Sequence, residues 1–154
     1  MSPTTSPFAV VVKAALDESR LRGSKRLGTE HLLLGLLRDP VCAAALGTGV
    51  EEARAALDQL DREALAAIGI DVTGMSAAAP PRKRVPFSQG RLTSGARTAI
   101  DAGIRGTTIR TRAKAPQALL LELLACEPPD PCAVLLDRLA VDRAAARAHL
   151  TPRA

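Results

Sequence analysis

A carboxylate and an imidazole stand side by side in Gly28-Thr29-Glu30-His31, where an apolar run, Leu32-Leu33-Leu34-Gly35-Leu36-Leu37, begins. A carboxylate at the opening of a helix has two uses. With Thr29 as N-cap, Glu30 offsets the helix dipole. Alternatively, it offers its charge to a cationic ligand held at the helix end. His31 could act as a general base, but no Ser or Cys stands in a His/Asp framework with it. The imidazole therefore reads as a group that orients the helix start. Gly23-Ser24-Lys25 lacks the upstream glycine of a phosphate-binding loop, and no nucleophile elbow occurs. The reading is of a chain that is not an enzyme and needs no cofactor.

The cysteines add no metal chemistry. Cys126 and Cys132 do not have zinc spacing, and only His31 and His149 could add imidazoles. Cys42 and Cys132 lie in apolar stretches, where a free thiol packs as a small hydrophobe. Three cysteines, an odd and sparse set, suit a reducing cytoplasm. The N-terminus lacks the basic side chain of a signal peptide, and no apolar stretch approaches membrane-spanning length. Cytoplasmic localisation with no membrane partner is the expectation.

Charge is concentrated. Residues 82–114 hold nine basic residues and one acidic residue, whereas the whole chain carries a formal +5. Arg82-Lys83-Arg84, Arg105, Arg110, Arg112 and Lys114 form either a solvated face or a phosphate-binding one. Phe87 is the one aromatic in that stretch, with none interleaved among the basic residues to stack successive bases, so a nucleic-acid partner would be duplex, held by its backbone.

The elements that position these groups follow from apolar periodicity and Gly/Pro punctuation. Helices are predicted from Phe8 to Arg22, from Thr29 to just before Asp39-Pro40, from Cys42 to Leu46 and from Glu51 to Ile68. The order then repeats. The run after Thr29 returns 87 positions later as Pro116-Gln117-Ala118-Leu119-Leu120-Leu121-Glu122-Leu123-Leu124. Ala99-Ile100-Asp101 echoes Ala15-Leu16-Asp17, and Cys132 to Leu136 echoes Cys42 to Leu46. With only Phe8 and Phe87 as aromatics, Leu and Ala must build the core, which favours close-packed helices. The expected fold is all-α, a pseudo-two-fold duplicated four-helix repeat of about eight helices in one domain over 1–154. Repeat 1 spans 4–70, a linker 71–86 and repeat 2 87–150.

Gly28-Thr29-Glu30-His31-Leu32-Leu33-Leu34-Gly35-Leu36-Leu37, preceded by Asp17-Glu18-Ser19-Arg20 and echoed after Val85-Pro86-Phe87-Ser88, resembles the N-terminal domain of Clp-type unfoldases of the ClpC/ClpA kind. The resemblance covers roughly residues 4–150. It implies a free-standing Clp N-domain-like module without the ATPase ring, which binds Clp substrates, adaptor proteins or peptide-like ligands, or Clp ATPase components. Such a protein would act as a regulator, or as a decoy for cyclic-peptide antibiotics. In ClpC-type members each repeat can hold a phosphorylated arginine, through a Thr near the repeat start and the Glu of Thr-Glu-His. The matching positions here are Thr5 and Glu30, with Ser88 for the second Thr. Gln117 replaces the second Glu, and a neutral amide cannot form the charge-assisted pair, so that site is expected to be weakened or lost. The alternative function is a nucleic-acid-associated protein using 82–114.

Overall fold

The structure, a computed structural model, describes residues 6–71 and 91–151. Among them are eight α-helices: α1 (Pro7–Leu21), α2 (Thr29–Leu36), α3 (Pro40–Leu46), α4 (Val50–Ala67), α5 (Ser94–Arg105), α6 (Ala115–Leu124), α7 (Pro131–Arg138) and α8 (Arg143–Leu150). A 3₁₀ turn, Arg112–Lys114, leads into α6. The fold is all-α, and among the described residues no helix is long and apolar enough to cross a membrane. Most of the 71–86 linker lies outside the described residues.

Side-chain caps start most helices. Ser6 accepts from the Ala9 N–H at 3.1 Å, and Thr93 accepts from the Ala96 N–H at 3.1 Å. Asp39, Asp130 and Asp142 cap α3, α7 and α8 in the same way. Proline occupies the first turns of α1, α3, α6 and α7, where its missing N–H costs nothing. This is why α3 begins at Pro40 rather than at Cys42.

The two leucine runs form the centre. Leu32, Leu33, Leu34, Leu36, Leu119, Leu120, Leu123 and Leu124 are all essentially buried, and each contributes about 1.5–3 kcal/mol on leaving water. Leu121, at the position of Leu34 in the second run, is only partly buried. Cys42 and Cys132 are fully buried free thiols within this core. α2 lies along α1 and touches α4, α5, α6 and α7; α6 lies along α5 and touches α8, α1, α2 and α3. α3 packs on α8, and α4 on α7. One parallel β-bridge joins Leu27, just before α2, to Leu92, just before α5. Leu27 N–H donates to the Arg91 carbonyl at 2.7 Å, and Thr93 N–H donates to the Leu27 carbonyl at 2.9 Å.

α1 and α2 meet almost backbone to backbone at Gly35. A Cβ there would lie 2.7 Å from the Val11 carbonyl oxygen and 2.9 Å from the Ala15 nitrogen. Gly35→Ala gains about 1 kcal/mol of helix propensity. It loses more to overpacking, about 1–3 kcal/mol, because the obstructing atoms are main chain. Urea unfolding should therefore show a less stable variant; a stabilised one would mean that α1 retreats at little cost.

Candidate functional site

The start of α2 is built differently from the sequence expectation. Thr29 is not the N-cap. Gly28 takes that place with extended backbone (φ −105°, ψ 177°), and Thr29 is already helical. A side chain at residue 28 would collide with the Glu30 carboxylate, which folds back over the glycine. The buried Thr29 hydroxyl leaves its own helix altogether: it donates to Asp130 Oδ1 at 2.7 Å and accepts from the Cys132 N–H at 3.2 Å. Asp130 also accepts from the Cys132 N–H at 2.9 Å. The start of α2 is thereby fastened to the start of α7.

His31 is 2% exposed. Its Nδ1 accepts from the Gly28 N–H at 2.9 Å, and its Nε2 lies 3.4 Å from Ser24 Oγ. With Nδ1 as acceptor, the ring carries its proton on Nε2. Burial, helped by the Arg22 charge, pushes its pKa down to about 4. The neutral imidazole closes the first turn of α2, in the role Glu or Gln plays at the third position of a capping box. The 3.6 Å approach of Glu30 Oε1 to Nδ1 is thus a contact with a neutral ring and not an ion pair.

Glu30 is the chemically unsatisfied member. Its side chain is 19% exposed, and Oε2 is buried with no hydrogen-bond partner. Burial pushes its carboxyl above the usual range; its own backbone N–H opposes this, while the Asp130 and Asp61 charges reinforce it. The positive charge that acts on it, Arg22, is already engaged by Asp58 at 2.8 Å and Asp61 at 2.6 Å. A guanidinium or ammonium brought to Oε2 would meet a carboxylate that the fold leaves short of a partner.

Thr5 and Ser88 lie outside the described residues, as do Arg82, Lys83 and Arg84. Ser6, the neighbour of Thr5, stands with Ala115 and Arg112 around one hollow, at the start of α6 rather than of α2. The start of α2 instead faces the start of α5: a Cβ at Gly95 would lie 3.4 Å from Thr29 Cγ2. Arg105, Arg110, Arg112 and Lys114 are exposed in and around the segment between α5 and α6. Among the described residues no group of His, Cys, Asp and Glu is arranged to hold a metal.

A groove between α1 and α5 was not foreseen. Phe8, Val12, Leu92, Ile100 and Ile104 line a hollow of about 260 Å³, with Arg97 and Asp101 at its edge. Phe8 and Ile104 also line a neighbouring hollow of about 360 Å³, whose further wall is Ile109 and Arg112. The two share Phe8 and Ile104 and form one strip, apolar between α1 and α5 and mixed beyond, where Ser6, Thr107, Thr108 and Arg112 join the wall. Along it Ile104 is 52% and Ile109 86% exposed, far more than an isolated core edge requires. The sequence signal was present in Ile100 and Ile104, four positions apart on one helix face, but nothing local distinguishes a groove wall from core. A scan against protein-family models and searches of curated proteins and of solved structures found no match.

Proposed function

We propose that the chain is a non-catalytic binding module of the Clp N-domain type, which takes peptide-like ligands of the Clp protease system and acts as a regulator or decoy. The observation that carries this reading is the apolar groove between α1 and α5, with Arg97 and Asp101 at its edge. An apolar floor with a few polar groups at the rim is the usual make-up of a pocket for a compact peptide-like molecule. The duplicated architecture belongs to the same reading. In support, exchanging α1–α4 for α5–α8 maps the contacts α1·α2 onto α5·α6, α2·α7 onto α6·α3 and α4·α7 onto α8·α3. The groove then runs between the leading helices of the two halves, and Glu30 marks a separate half-site for a phosphorylated arginine.

Calorimetric titration of the full chain with a Clp-targeting cyclic peptide tests the groove. Saturable binding is expected, weakened at least about tenfold by Ile104→Asp. In the same format Glu30→Ala should abolish phosphoarginine binding and leave the cyclic peptide unaffected. Failure to bind any cyclic peptide, together with failure to capture any Clp component or adaptor, would overturn the proposal. Salt-sensitive retention of duplex DNA with an empty groove would favour the nucleic-acid reading instead.

A further inference from the structure

A third hollow, of about 380 Å³, opens beside the start of α6. We propose that it receives the carboxyl terminus of a peptide whose last residue is apolar. Lys114 and His149 are among its lining residues, and no Asp or Glu is. Neither side chain makes an ion pair among the described residues. α6 starts without a side-chain cap and without an acidic residue in its first turn, so its positive end adds to the same potential. An anion is the complement of this lining.

The interior of the hollow says which anion. Gln117 is among its lining residues, and its Oε1, buried without a hydrogen-bond partner, would gain one from a ligand donor. The amide can give a proton and take one at once. The last residue of a peptide offers both counterparts: a carboxylate for Lys114 and the Gln117 NH₂, and a backbone N–H for Oε1. Its side chain then meets Val41, Leu121 and Leu150. Val41 is 45% exposed without such a ligand, and Leu121 is less buried than Leu34 at the same place in the other leucine run. Inorganic phosphate would satisfy Lys114 and leave the three aliphatic side chains facing water. The α2 start, with Glu30 and Asp130, has the opposite sign of charge, so the two helix starts select different ligands. This inference does not draw on the groove between α1 and α5.

The test is fluorescence polarisation of the full chain with a labelled tripeptide ending in leucine, as free acid and as carboxamide. The free acid should bind and the carboxamide should bind at least about tenfold more weakly. Lys114→Glu, at an exposed position that does not endanger folding, should weaken the acid by a similar factor, and Gln117→Glu likewise. Ile104→Asp should leave it unchanged. Equal binding of acid and carboxamide, full affinity in Lys114→Glu, or no saturation by about 1 mM peptide would each overturn the proposal. So would displacement by inorganic phosphate with no preference for an apolar last residue, which would identify a simple anion site.

Discussion

Glu18→Ala should cost the protein about 3 kcal/mol, the largest loss expected from any single polar side chain here. The Glu18 side chain is only 2% exposed. Oε1 accepts from Arg38 Nη2 at 2.6 Å and from Arg54 Nη2, while Oε2 accepts from Arg54 Nε at 3.2 Å. One carboxylate on α1 thus holds the end of α2 and the body of α4. Burial alone would raise its pKa, but the hydrogen bonds from Arg54 and Arg38 outweigh it and keep the carboxyl below the usual range. Removing it leaves two guanidinium groups facing a hole. They are 41% and 32% exposed, so water recovers part of their solvation and the lower end of the usual range applies. The melting temperature should fall by roughly 6–12 °C. Glu18→Gln, which keeps the volume, separates charge from packing and should retain only part of the stability. A loss below about 1 kcal/mol for Glu18→Ala in urea unfolding would show that water replaces the carboxylate almost fully.

Acid should unfold the protein chiefly through His31. In the unfolded chain the imidazole takes a proton near its ordinary pKa of 6.5; in the folded chain it does so only near pH 4. Between those values the unfolded state binds more protons, so stability falls as pH falls, by about 3 kcal/mol across the window. Glu18 continues the trend: its contribution is present above its ordinary pKa of 4.5 and is lost as pH drops through its depressed folded value. Glu30 works in the opposite sense. Its raised carboxyl penalises the fold while ionised, and protonation on acidification relieves that penalty. His31→Gln retains an acceptor for the Gly28 N–H and has no charge to gain. Its stability should be nearly flat between pH 6.5 and pH 4. Equal slopes for wild type and His31→Gln in that window would move the acid response to another group.

Much of the helical layout was legible because this chain punctuates its helices strongly. Gly and Pro stand at nearly every boundary, and the two leucine runs are too apolar to be anything but buried. What could not be read was the destination of side chains. Thr29 has the composition and position of an N-cap, and locally that is its best use. It lost that role because Asp130, brought alongside by the packing of α7 on α2, is a better partner. The capping residues Ser6 and Thr93 carry clear signals, a Ser before Pro and a Thr before Ser-Gly. Glu18 stood in plain view within Asp17-Glu18-Ser19-Arg20, yet its partners lie 20 and 36 positions away. The groove is a property of two helices together, and one helix's periodicity cannot show it. For the same reason Gln117 looked only like a lost carboxylate until Lys114 and His149 were placed beside it.

The Thr29 to Asp130 hydrogen bond spans 101 positions, and the Leu27 to Leu92 bridge ties the same corner of the molecule. Helices of this length form within about a microsecond once begun. The corner cannot form until both halves have collapsed and met, and closing so long a loop carries an entropy cost that no local contact offsets. This junction of residues 27–29 with 92–93 and 130–132 joins the two halves through contacts far apart in sequence. Such pairing raises the mean sequence separation of contacts, so refolding should be slower than helix content alone would suggest.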